Sequence, residues 1–372
     1  MAALSYSDAV SEALERLRPV GFEHGRSFVN HAPMAAEALA HMGYADEVPA
    51  WVERNLRTRS YHDVPERRWP IDPDDPGDWR AALGDFSRVA DWTALFEREL
   101  ALGPWTGVLA RWWPRLLPGM SAVLTHGVIR TAHAVRAVAA APGDNRLQLG
   151  ELAQGLGYWA ARHSTHGIVA GPDDAAAPDA SDPDAADLGA AAPDAADPDA
   201  TSPPGDVTGP GGAAGPGGDL AGRDRGRAPD AGPDGRDEVS RDLDALVAEY
   251  AGIYATAAQH HPVPLIHAVT GPAAVRLVVG HLPSAQRRPS YLTARAVSRT
   301  MLDWFRTAPG PATPAPAAPP ALSEVFARAV EIGDEHTIKL AEVAVRHEAF
   351  APDPRHAAAA HLANRAIGRL SR

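Results

Sequence analysis

The chain contains no cysteine among its 372 residues. Disulfides, thiolate zinc sites, iron–sulfur clusters and a Cys nucleophile are therefore excluded. No stretch approaches the roughly 20 apolar residues of a membrane-spanning helix. The N-terminus, MAALSYSDAVSEALERLRPV, carries acids and lacks the apolar core of a secretory signal. These absences lead to the expectation of a soluble, cytoplasmic protein with no membrane partner. Several catalytic signatures are missing too: a G-x-S-x-G elbow, a Walker A loop, a Rossmann fingerprint, H-E-x-x-H, and the repeated E-x-x-H set of di-iron bundles.

Charge is confined. The net charge is −12. Residues 167–240 hold 16 of the 47 acids and 4 of the 35 basic residues, leaving 31 of each sign elsewhere. The remainder is neutral, so it has no bulk electrostatic reason to seek nucleic acid. The acidic segment is Ala, Asp, Pro and Gly with almost no large apolar residue. Such a composition cannot bury enough surface to offset chain entropy. It is expected to be a disordered insert between two helices of one domain. Its GPGGAAGPGG has no preceding strand and no close following helix, so it is no phosphate loop. A second Pro/Ala stretch, 308–320, reads as a surface loop.

What is present is helical periodicity. Segments such as DAVSEALERLRPV, PMAAEALAHMG, THGVIRTAHAVRAV, LQLGELAQGLGYWAARH and LSEVFARAVEIGDEHTIKLAEVAVRHEAF place apolar residues at three- and four-residue steps. No alternating strand series or hairpin signal stands out. The expected fold is all-α: a single multi-helix domain formed by 1–166 and 241–372 around the insert at 167–240. Nine Trp against seven Phe is an unusual ratio. Trp105, Trp112, Trp113 and Trp159 suit either an aromatic pocket or core packing.

Sixteen histidines carry most of the chemical interest. In Asn30-His31-Ala32-Pro33, Asn suits a helix N-cap and Pro the first turn, and His31 is needed for neither. His126 and His133 lie two turns apart on one helix face, which they share with Arg130. Their Cα atoms are about 10.5 Å apart, too far for easy chelation of one ion. One of the two can be a ligand while the other holds a neighbouring group or a substrate; equally, both can be polar residues against a core. His267 follows a Pro-rich turn and the apolar pair Leu265-Ile266, so it should face inward. His260 and His261 sit at the preceding turn and should be solvated. His336 and Lys339 are helical neighbours at i, i+3, although a Lys on such a helix normally snorkels outward. Glu37 and His41 read as a surface i, i+4 pair.

Four of these segments, FVNHAPMAAEALAHMG, PWTGVLARWWPRLLPGMSAVLTHGVIRTAHAVRAV, IHAVTGPAAVRL and DEHTIKLAEVAVRHEAF, resemble the questin oxidase family, in the same order along the chain. Fungal members open anthraquinone or related polyketide rings with a Baeyer–Villiger-like outcome, and some are mononuclear non-haem iron oxygenases. The resemblance implies an oxidoreductase using Fe(II) and O2 on an aromatic, phenolic substrate. By motif it implies iron ligands at His31 (N-H-x-P), His126 (T-H-G), His267 (I-H-A-V-T), His336 and Lys339 (D-E-H-x-I-K), the lysine carboxylated to give an oxygen donor. Whether His126 or His133 is the ligand stays open, and Arg130 and His133 are the candidate catalytic residues. NADPH fits the family's fungal chemistry, but with no dinucleotide motif the electrons would come from the substrate or from a reductase partner. The alternatives are a non-catalytic helical binding or scaffold protein and, more distantly, metal-assisted hydrolysis. A ligand role would also explain why a helix start stands directly around His31: it aims the ring.

Overall fold

The computed structural model describes residues 4–141, 143, 146–165, 237–256, 262–305 and 320–370. Among them are fourteen α-helices: α1 Tyr6–Leu17, α2 Ala32–His41, α3 Val48–Thr58, α4 Pro76–Ala82, α5 Val89–Leu102, α6 Trp105–Leu116, α7 His126–Ala140, α8 Arg146–Ala161, α9 Glu238–Thr256, α10 Pro262–Val278, α11 Ser284–Phe305, α12 Leu322–Ile332, α13 Glu335–Phe350 and α14 Pro354–Leu370. The fold is all-α, as the periodicity predicts. The one sheet among these residues is a two-residue antiparallel pair, β1 Glu23–His24 with β2 Phe28–Val29, in register Glu23 to Val29 and His24 to Phe28. The predicted disordered insert lies outside the described residues over 167–236. Its last residues, Glu238 to Ser240, open α9, so the boundary set at 240 falls a few residues late. The loop 308–319, His260 and His261 also lie outside the described residues.

One large apolar cluster contains Trp92, Trp112, Leu156 and Trp159 from before residue 166 together with Val247, Tyr254, Val275, Met301 and Ala360 from after 236. Trp112, Trp113 and Trp159 are core residues, and Trp105 sits at the margin. A second cluster joins α1, α2 and α3 to Ala137 and Ile338. α8 packs between α5 and α7, and α10 lies against α7, α9, α11 and α13. α2 contacts α1, α3, α7 and α13. Its sequence APMAAEALAH explains this: Ala32, Ala35, Ala36, Ala38 and Ala40 are all buried, and methyl side chains let several helices approach one axis closely.

α10 contradicts the expectation of no span-length apolar stretch. Pro262–His281 is long and apolar enough to cross a membrane, with mean hydropathy 1.5, yet 83% of that window is buried inside the protein. Its apolarity is used in the core. Two prolines inside helices also show how the interior is satisfied. A helical Pro removes the bond to the carbonyl four residues earlier. Pro272 thereby leaves the Ala268 carbonyl to accept from Ser298 Oγ at 2.9 Å. Pro114 likewise leaves Ala110 O to accept from Gln286 Nε2 at 2.7 Å.

Candidate metal centre

Four helices each deliver one imidazole to a single buried point, three of them at their N-terminal ends. His31 occupies the cap position immediately before α2. The expected cap, Asn30, stands one residue earlier and fixes the approach instead. Its side-chain oxygen accepts from Ala32 N at 3.0 Å, its amide donates to Gly21 O at 2.9 Å, and its backbone N–H donates to Phe22 O at 2.8 Å. The short β1–β2 pair anchors that segment from the other side. Pro33, in the first turn, costs no hydrogen bond.

His126 is the first residue of α7, and the backbone in front of it is strained. Val123, Leu124 and Thr125 have φ of 42°, 52° and 66°. Three consecutive left-handed residues, two of them β-branched, are sterically costly. The turn aims the Val123 carbonyl at His126 Nδ1 in a very short hydrogen bond. Gly127 completes the geometry: a Cβ there would lie 2.7 Å from the Trp159 ring. His267, in the second turn of α10, donates from Nδ1 to Val263 O at 3.0 Å. His336 enters at the start of α13, where Asp334 caps the helix by accepting from the N–H groups of His336 and Thr337 at 2.9 and 3.1 Å. The same carboxylate faces His336 Nδ1 at 3.5 Å.

One ring nitrogen from each of the four histidines lies within 4.8 Å of the others, and all four side chains are buried. The Nε2 atoms of His31 and His126 are 2.6 Å apart, and those of His267 and His126 are 2.9 Å apart. A carbonyl can only accept, so His126 and His267 each carry their N–H on Nδ1. Nε2 is therefore the atom that each of these two rings turns toward the common point. Bonds of roughly 2.0–2.1 Å to a tetrahedral ion place nitrogens about 3.3 Å apart, so the His31–His126 and His126–His267 pairs stand a little closer than such an ion would hold them. His31 is held well below the ordinary imidazole pKa, first by burial, then by the charge of Lys339 and the neighbouring rings. It is neutral at physiological pH, as a metal ligand must be.

Lys339, one turn after His336, is 1% exposed. It does not snorkel outward. Composition carried a signal here that periodicity did not: Lys339 is the sole lysine, against 34 arginines. A guanidinium does not lose its proton at physiological pH, whereas an amine does so readily when buried. The chain thus keeps a primary amine on a side chain at this one buried position.

His126, and not His133, belongs to the four-imidazole group. His133 instead directs Nδ1 to Glu37 Oε2 at 2.6 Å. Arg130 is committed to Glu151, through Nε at 2.7 Å and Nη2 at 2.9 Å, and to Gln154 Oε1 at 2.8 Å. The two candidate catalytic residues are therefore tied to carboxylates beside the site. Glu37 corrects the surface-pair reading. It is 3% exposed and accepts from Tyr6, His133 and Arg136. Burial alone would raise its pKa, but Arg136 and His133 outweigh that and hold it at about 2. Its importance was not visible in sequence because its partners lie 31 to 99 positions away.

Comparison with protein-family models gives no match for this chain, and none is found among curated proteins.

Proposed function

We propose that this protein is a non-haem iron-dependent oxygenase of the questin oxidase type, acting on an aromatic polyketide or related phenolic substrate. One observation carries the reading: four imidazoles from sequence positions spanning 31 to 336 meet within 4.8 Å, beside the only lysine of the chain. Core histidines have no need of a common location. Four imidazoles suit iron, zinc, copper or nickel, and the absence of cysteine removes the competing thiolate chemistry.

Under this proposal His31, His126, His267 and His336 hold the ion, and Lys339 supplies an oxygen donor as a carbamate. In its unprotonated form the Lys339 amine attacks the carbon of CO2: an N–C bond forms, one C–O π bond breaks with its electron pair going to oxygen, and one N–H proton passes to solvent. The product is an anion with two oxygen donors, which compensates the charge of a divalent cation. Bound iron would supply the redox chemistry of O2. The protein contributes fixed ring orientations, set by the Val123 and Val263 carbonyls and by Asp334, and a packed helical surround that excludes water.

The test combines three measurements on purified protein. Elemental analysis should find about one iron per chain. ¹³C NMR after equilibration with labelled bicarbonate should show one carbamate resonance, absent in Lys339→Arg. Oxygen uptake should depend on an added hydroxyquinone and be lost in His126→Ala. Protein that retains no transition metal after growth and reconstitution would move the scaffold reading ahead.

A further inference from the structure

The helices that carry the four imidazoles are joined a second time. Glu37 of α2 receives Arg136 of α7 through two bonds, Nη2 to Oε2 at 2.5 Å and Nε to Oε1 at 2.8 Å. Arg136 Nη1 also reaches Glu342 of α13 in a very short contact. Glu342 accepts from Arg346 Nε at 2.9 Å, and Arg346 Nη1 lies 3.3 Å from His347 Nε2. His347 Nδ1 faces Asp244 of α9 at 3.3 Å, and Asp244 accepts from Arg276 of α10 at 2.9 Å. Every ligand-bearing helix is therefore represented in one continuous, largely buried polar chain. Measured along each helix, its nearest member lies roughly 9 Å from the ligand on α2 and α13 and roughly 13–15 Å on α7 and α10.

We propose that this chain is the positioning frame of the four-imidazole site, with Glu37, Arg136, Glu342 and Arg346 as its positioning residues. The inference rests on the metal reading given above. The buried face of α2 is mostly alanine. Methyl groups pack closely but make shallow knobs, so they define the sliding register between helices weakly. A ligand set tolerates errors of only about 0.2 Å in bond length. A forked guanidinium between two carboxylates fixes register to tenths of an ångström, because its donors meet both partners in one arrangement only. Buried ion pairs contribute little net stability compared with apolar packing of the same volume, so setting register is the role the chain is best fitted to.

The experiment uses the full chain and Co(II) alone as probe. A quadruple variant, Glu37→Met, Arg136→Met, Glu342→Met and Arg346→Met, removes two charges of each sign and strands no partner charge among the four. Arg136→Lys keeps the charge but cannot fork. The quadruple variant should stay helical and cooperative on melting, yet bind Co(II) at least tenfold more weakly with a shifted visible absorption spectrum. Arg136→Lys should fall between it and the parent. In metal-free protein, the ring ¹⁵N resonances of His31, His126, His267 and His336 should move or broaden in the same order. Unchanged Co(II) affinity, spectrum and imidazole resonances in the quadruple variant would overturn the frame. If the parent chain fails to bind Co(II), the metal reading falls and the imidazole resonances alone decide the frame. If the quadruple variant does not fold, Arg136→Lys decides it by the same readouts.

Discussion

Two polar regions are buried in the same helices and differ in how they meet the cost of burial. At one end, four imidazoles converge with a ring nitrogen of each within 4.8 Å of the others. At the other, Glu37 and Glu342 share Arg136, and Arg346 completes two charges of each sign. The second region is internally compensated. The first instead gathers one ring nitrogen from each of four helices at a single point, behind a strained turn. A closed network of opposite charges has its counter-charges built in. A convergence of ring nitrogens has the donor set that a metal ion uses.

Removing the shared cation should have the largest effect on the compensated region. Arg136→Met leaves two buried carboxylates facing each other, and Glu342 is pushed toward protonation as its main counter-charge disappears. Stability should fall by about 3–5 kcal/mol, measured by urea denaturation. A loss below about 1 kcal/mol would mean that solvent already reaches these carboxylates.

Adding a divalent ion at the other end should act in the opposite direction. A divalent metal at a hundred times its dissociation constant stabilises the native state by about 2.7 kcal/mol. Wild-type protein should gain this on adding Co(II) in a thermal melt. His126→Ala should gain little, since it removes the ring that approaches both His31 and His267. His133→Ala should gain nearly the full amount, because His133 faces Glu37 instead.

The two regions were not equally legible in sequence. The helices, and the inward placement of His267, follow from periodicity and flanking residues. The convergence of His31, His126, His267 and His336 does not, because no local rule links positions 31 and 336; only the family resemblance brought them together. The compensated network was invisible. Glu37 looks like a surface residue when judged by its own helix, and becomes a buried acid only through Tyr6, His133 and Arg136. α10 shows the same limit from the apolar side: composition alone does not separate a membrane span from a core helix. Lys339 is the reverse case. Its uniqueness among 35 basic residues was on view in the composition, and the periodic pattern drew attention elsewhere.

Acid should act on the compensated region through His347. Burial lowers its pKa to about 4, against the partial opposition of Asp244. A group whose folded pKa is depressed contributes stability that is present above its unfolded value and lost as pH falls toward the folded one. The window therefore opens near pH 6.5 and runs down to about 4. At pH 5 the loss from this residue is about 2 kcal/mol. His347→Gln should flatten the melting temperature between pH 6.5 and 5 relative to the parent chain. Glu37, held at about 2, adds a second decline below the usual carboxylate range near 4.3. An unchanged slope in His347→Gln would show that other buried groups control this window.

The smallest effect tests whether the strain before His126 is separable from the site it serves. Val123 is only half-buried and has φ 42°, ψ 50°. A β-branched residue in that conformation costs roughly 1–2 kcal/mol, whereas Asn enters it readily. Val123→Asn keeps the carbonyl that accepts from His126 Nδ1, because that oxygen belongs to the backbone. It gives up some apolar contact with the core, which offsets part of the relief. The net gain should be up to about 1 kcal/mol in the melting of metal-free protein, with Co(II) affinity unchanged. A gain in stability accompanied by weaker metal binding would mean that the strain itself holds the His126 ring in place. A net loss would mean that the Val123 methyls stabilise the turn more than its backbone conformation costs.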